Sequence, residues 1–220
     1  MSRNRRRANH PRALRRLGGL DGVQLVGISA IIMAIGAIAW IMVSGNKPIR
    51  APTHWSAPPP MTIDQDRQHL ATVQMAKGGE FVIQLYAAKA PMTVNNFIFL
   101  ARQGYYDGVT FHRVLEGFMA QGGDPTGTGG GGPGYEFPNE DSDLQFDRTG
   151  VVAMANAGRD TNGSQFFITF GPQARLNGGY TIFGQVISGM DLVQGLKRRD
   201  PDKNPAYAGD EIRSVTVMER

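Results

Sequence analysis

The chain has 220 residues, enough for one domain of ordinary size plus appendages. It contains no cysteine, which excludes disulfides, thiolate metal sites and cysteine nucleophiles, and His10, His54, His69 and His112 show no metal-ligand spacing. The net charge of +4 suggests nucleic acid, but seven of the 23 basic residues and one of the 19 acids precede Val23, leaving 16 basic residues against 18 acids beyond it.

In chain order, residues 1–22 form a basic tail whose arginines (Arg3, Arg5, Arg6, Arg7, Arg12, Arg15, Arg16) come directly before an apolar run. That position reads as a topology signal, and nucleic acid is not expected as a partner. The run, Val23–Val43, is apolar all round apart from Gln24 and Ser29. About 20 such residues at ~1.5 Å each cross a hydrocarbon core of roughly 30 Å. The competing reading is a cleaved signal peptide, whose apolar region of about 7–15 residues would end at a small-residue cleavage site. This run is longer, carries Trp40 near its end, and is followed by no such site. A single transmembrane anchor over 23–43 is expected, contacting the lipid bilayer. Only Lys47 and Arg50 follow it closely, which predicts a cytoplasmic N-terminus and an extracytoplasmic remainder.

Residues 44–67, with Pro58-Pro59-Pro60 and no apolar period, read as an extended spacer. The domain is expected over 68–220. Ala71, Val73 and Met75, then Phe81, Ile83 and Leu85, alternate with polar neighbours on either side of Lys77-Gly78-Gly79, a hairpin signal. Pro91 opens a helical spacing of Val94, Phe97, Ile98 and Ala101 that Gly104 stops. Further strands are predicted at 110–114, 118–121, 150–155, 165–169, 182–186 and 212–218, with a short helix at 190–196. Many short strands, glycine turns and two helices imply a mainly β, closed antiparallel barrel.

Several motifs lead nowhere. Gly127–Gly134 (GTGGGGPG) lacks the Lys-Ser/Thr and the following helix of a phosphate loop, and reads as a flexible surface loop. Ser164 lies in no nucleophile elbow, and the glycosylation pattern at Asn162 is common by chance. The informative segment is Phe111–Asp124, FHRVLEGFMAQGGD, which sets Arg113 among apolar residues without a nucleophile, a metal cluster or paired carboxylates. Strand alternation puts Phe111 with Arg113 on one face, and Met119 with Gln121 on one face. In TNGSQFFIT, the same alternation puts Gln165 and Phe167 on one face and Phe166 and Ile168 on the other, as in a barrel wall that also forms a binding surface.

FHRVLEGFMAQGGD together with MANAGRDTNGSQFFIT resembles the signature pair of the cyclophilins, the peptidyl-prolyl cis/trans isomerases. Ala90-Pro91, Gly104-Tyr105-Tyr106-Asp107-Gly108 and Thr181-Ile182-Phe183-Gly184 extend the resemblance over roughly residues 70–220. It implies an eight-stranded antiparallel barrel capped by two α-helices, and here a membrane-anchored, bacterial-like member. It further implies isomerisation of X-Pro bonds in peptides and in unfolded or translocated proteins, with no cofactor or metal and a monomeric domain. Arg113 would be the transition-state donor. Phe118, Met119, Phe167 and Leu176 would form the proline pocket, and Gln121 would orient Arg113 and the substrate carbonyl. The Asn156 backbone would pair with the peptide, while Ala155, Ala157 and Gln165 line the neighbouring groove. His112 would be a positioned histidine at the edge of the site. The alternative is a cyclophilin-like module that binds Pro-containing segments, or acts as a chaperone, with little turnover.

The sequence also departs from the pattern. In Ala174-Arg175-Leu176-Asn177-Gly178-Gly179-Tyr180, Arg175 stands where well-known eukaryotic members carry the tryptophan that grips cyclosporin, so weak cyclosporin affinity is expected. Asn177 replaces an aspartate, and Tyr180 replaces a histidine at the pocket wall.

Overall fold

The alternation at residues 71–85 becomes a hairpin in the computed structural model, which describes residues 54–203 and 205–220. β1 (His69–Met75) pairs with β2 (Glu80–Leu85), and each buries alternate side chains. Gly78 and Gly79 turn the chain at φ of 95° and 81°, a left-handed backbone that glycine adopts without a Cβ penalty. The other strands are β3 (Thr110–Phe111), β4 (Arg113–Leu115), β5 (Met119–Gly122), β6 (Val151–Met154), β7 (Phe166–Thr169), β8 (Ile182–Ser188) and β9 (Asp210–Glu219). All pairings are antiparallel, in the order β3-β9-β1-β2-β8-β6-β7-β5-β4.

The two ends of that order, β3 and β4, are separated in the chain by His112 alone. The sheet therefore curls round on itself as a nearly closed antiparallel barrel of nine strands, where a closed one of eight was expected, with its seam at His112. One expected strand, 110–114, is split in two there. β3 pairs with β9, whereas Val114 of β4 exchanges both backbone hydrogen bonds with Arg199, at 2.7 and 2.9 Å. The Arg199 guanidinium also donates to the His112 carbonyl. The change of partner shifts the phase, so Phe111 and Val114 enter the main core. Arg113 and Leu115 face the other way. The expectation that Phe111 and Arg113 share a face is thus corrected.

α1 (Pro91–Arg102) starts at its proline, as predicted. Its Ala90 N-cap has no side chain able to accept, and Glu140 supplies what is missing. The two Glu140 carboxylate oxygens accept from the Met92 and Thr93 N–H groups at 2.9 and 2.7 Å, where the helix dipole favours a negative charge. Phe97 packs within 5.1–5.7 Å of the rings of Tyr106, Phe166 and Phe183. α2 (Met190–Gln194) is shorter than the predicted 190–196, because Gly195 caps it by donating to the Asp191 carbonyl.

Residues 54–62, expected within a free spacer, are laid against the barrel domain. The Trp55 ring meets Phe99 edge-on at 5.4 Å and Tyr105 at 5.8 Å. The Asn95 side-chain amide donates to the Pro60 carbonyl at 3.0 Å and accepts from the Thr62 N–H at 3.0 Å. Polyproline carbonyls have no partner of their own, and Asn95 provides one. The tail at 1–22, the apolar span at 23–43 and linker residues 44–53 lie outside the described residues. Among the described residues, no helix is long and apolar enough to cross a membrane.

Candidate active site

The wall made by β5, β6 and β7 has an apolar layer on each side, as the alternation in QFFIT predicts. Phe166 and Ile168 enter the main core, while Phe167, Met119, Val151, Ala153, Phe146 and Ile182 form a second cluster on the other side. Leu115, Phe118, Leu176 and Tyr180 pack over this second cluster. Phe167 is held between Phe146, stacked at 5.8 Å, and Tyr180, edge-on at 5.4 Å.

A cavity of about 160 Å³ opens on this face. Phe118, Met119, Phe167, Leu176 and Tyr180 line its apolar part, and Arg113, Gln121, Ala155 and Asn156 its polar edge. Phe118 belongs to the Leu115–Phe118 turn that precedes β5, closed by its own N–H on the Leu115 carbonyl at 3.2 Å. Lying off the strand, it is released from alternation. That is why it sits beside Met119, a placement strand periodicity does not predict.

A larger groove of about 940 Å³ shares Gln121, Ala155 and Asn156 with the cavity and continues past Ala157, Thr161 and Gln165 to the glycine-rich loop. Eleven of the twelve residues proposed from the sequence thus line one or other of two adjoining depressions. His112 does not. It is 1 % exposed at the barrel seam, and neither ring nitrogen has a partner among the described residues. Burial pushes its pKa down, opposed by Asp124 and the nearby Thr110 backbone and reinforced by Arg199 and Arg113, so the ring is neutral near pH 7.

Arg113 is half-buried, its guanidinium has no hydrogen bond or ion pair among the described residues, and it lies 5.8 Å from the centre of the Phe118 ring. Gln121 pairs across the strands with Arg113 but is oriented from elsewhere, donating its amide to Gln165 at 2.9 Å. Gln165 in turn donates to the Gly129 and Gly131 carbonyls at 2.8 and 2.9 Å. The glycine-rich loop, read from sequence as a flexible surface segment, is therefore a support for the site. Its base is Asp124, 1 % exposed, which accepts from Thr126 and from the Thr128 and Gly129 N–H groups. Burial alone would raise the Asp124 pKa, but these donors outweigh it and hold it low. No composition signal marks this role for the loop. Asp-x-Thr-x-Thr-Gly at 124–129 is an Asx-turn pattern that could have indicated an ordered start.

The Asn156 side chain is tied to the Gly179 carbonyl at 3.2 Å, while its backbone N–H and C=O have no partner among the described residues. They form an open edge for an extended peptide. Ser164 is committed elsewhere, donating to the Gly123 carbonyl at 2.7 Å beside the Tyr105 hydroxyl. Asn162 is buried and donates to Asn139, so the glycosylation pattern is not presented to solvent. Among the described residues, no three His, Asp or Glu side chains converge as metal ligands.

This site suits bond rotation. Twisting an X-Pro peptide bond removes conjugation and makes the prolyl nitrogen a better hydrogen-bond acceptor, against a barrier of about 18–20 kcal/mol. A cation fixed beside an apolar ring pocket favours that twisted state over the planar one and needs no covalent step.

Residues 70–217 match the family model described as cyclophilin type peptidyl-prolyl cis-trans isomerase/CLD. The peptidyl-prolyl cis-trans isomerase ppi1 of Schizosaccharomyces pombe is 51 % identical over 145 residues, covering 63 % of this chain and 94 % of the relative. Peptidyl-prolyl cis-trans isomerase B of Bacillus subtilis is 47 % identical over 133 residues (60 % and 93 %), and the human peptidyl-prolyl cis-trans isomerase-like 1 is 54 % identical over 119 (52 % and 72 %). Fungal, bacterial and animal relatives are all among the matches, so the similarity marks the family at large. A crystal structure of a cyclophilin type isomerase of Cryptosporidium parvum superposes with a TM-score of 0.63 at 34 % identity, over 70 % of this chain and 99 % of that one. The same protein has been solved in the presence of the dipeptide Ala-Pro, with a TM-score of 0.62 over 69 % of this chain and 99 % of that one. The chain belongs to the cyclophilin-type peptidyl-prolyl cis-trans isomerases.

Proposed function

We propose that the barrel accelerates X-Pro isomerisation in peptides and folding proteins, with Arg113 as the catalytic donor. The observation that carries this is a guanidinium without a protein acceptor at the edge of an apolar cavity. The proline ring enters between Phe118, Met119, Phe167 and Leu176, and the peptide lies along the Asn156 backbone. Gln121, aimed by Gln165, receives the carbonyl side of the bond. As that bond twists, Arg113 donates to the prolyl nitrogen. Removing one such donor from a preorganised site costs about 10²–10³ in rate. The test is exchange of a short X-Pro peptide by the full chain in detergent, wild type against Arg113→Ala. Turnover should fall by about that factor with the fold intact, and retention of a third or more would refute the role.

We further propose that residues 23–43 anchor the protein in a bilayer with the arginine tail cytoplasmic, so that the domain meets translocated clients. The apolar run and the charge asymmetry support this reading. Protease added to intact cells should then remove the domain and spare the tail.

A further inference from the structure

Two cations, not one, attend the proline cavity. The Arg175 guanidinium lies 4.5 Å over the Phe118 ring, closer than Arg113 at 5.8 Å. Arg175 is exposed and has no ion pair or hydrogen bond among the described residues. It sits on a short 3-10 segment, Ala174–Leu176, tied to the Phe118 turn by the Gln173 side chain donating to the Gly117 carbonyl at 3.2 Å. The acid of the Phe118 turn, Glu116, is taken by Arg198, which holds its carboxyl below the usual range. The cavity has no acidic lining residue, whereas the larger groove has Glu136.

The polarity has a direction. Gln121 lines both depressions, so in the pose proposed above the carbonyl of the residue before proline lies at their junction. The chain before proline then runs through the groove, past Glu136. The chain after proline leaves on the Phe118 and Leu176 side, where Arg175 waits without a partner.

We propose that Arg175 is a specificity-determining residue that selects X-Pro segments with a carboxylate one or two residues after the proline. This rests on the isomerase reading for the peptide's direction. Stacking on Phe118 keeps the cation at the exit, and an incoming Glu or Asp completes an ion pair that the protein leaves open.

The test measures affinity and exchange rate together for Ala-Ala-Pro-Ala-Glu and Ala-Ala-Pro-Ala-Gln, both C-terminally amidated so that the Glu side chain is the one carboxylate, using the full chain in detergent. The Glu peptide should bind about three- to fivefold more tightly at low salt, the size of an exposed charge pair. The preference should fall towards one at about 1 M salt, where the Debye length is ~3 Å. Arg175→Gln should abolish the preference and Arg175→Lys should keep most of it. Moving the Glu to the position two before proline should give no Arg175-dependent gain. A preference equal in wild type and Arg175→Gln, or a loss identical for both peptides, would overturn the proposal. Absence of exchange for both peptides would refute the isomerase reading, while the affinity ratio still decides this one.

Discussion

The docked segment at residues 54–62 predicts that the domain's stable boundary lies before the first strand. Replacing Trp55 by alanine removes two ring contacts, at 5.4 Å to Phe99 and 5.8 Å to Tyr105, and leaves its backbone donation to the Pro133 carbonyl in place. Aromatic pairs contribute about 0.5–1.5 kcal/mol each beyond area burial, so with the partly buried indole area the loss is about 2–3 kcal/mol. For a domain of this size, that lowers Tm by roughly 5–10 °C. A domain starting at residue 62 should lose more, because Asn95, 2 % exposed, also gives up the Pro59 and Pro60 carbonyls. Calorimetry on residues 54–220, its Trp55→Ala variant and residues 62–220 measures both steps. The other tryptophan is Trp40, so fluorescence of 54–220 reports Trp55 alone. Three Tm values within 1 °C of each other would refute the docking.

Gly123 has φ of 91°, and a Cβ there would lie 2.4 Å from the Ser164 carbonyl oxygen. Gly123→Ala should destabilise the fold by over about 3 kcal/mol through overpacking and strain, and normal soluble yield with an unchanged Tm would contradict the close approach. His112, buried with its pKa lowered from 6.5, stays neutral in the fold when it protonates in the unfolded chain. The unfolded state then binds more protons below pH 6.5, so stability is full above that pH and declines as pH falls from 6.5 towards the folded pKa. His112→Gln should flatten this slope in urea titrations between pH 6.5 and 5, and an unchanged slope would place the titration elsewhere.

What the sequence made legible follows from where one periodicity decides a residue's face. The hairpin at 69–85, the helix at Pro91 and the two-sided strand Phe166–Thr169 each have a clear period and a glycine or proline boundary. The cavity residues were reachable because FHRVLEGFMAQGGD and SQFFIT lie on strands that neighbour one another. Local pattern is silent where distant segments supply the partner. Arg199 breaks the strand at His112, Glu140 caps α1, and the carbonyls of Gly129 and Gly131 aim Gln165. None of these residues carries a local pattern that names its target. The burial of His112, expected instead at the edge of the site, has the same cause: it lies where β3 and β4 take different partners.

The seam at His112 also links the two ends of the domain to one side chain. Arg113 is aimed outward because Thr110 and Phe111 on one side pair with Glu211 and Asp210, while Arg113 itself pairs with Gln121 on the other. The first pairing joins residues about 100 positions apart, so the aim of Arg113 depends on the last strand of the chain as well as on its own hairpin. A residue whose side chain never enters the cavity, Asp210 or Glu211, thus helps to set the direction of one that lines it, about 100 positions earlier in the chain.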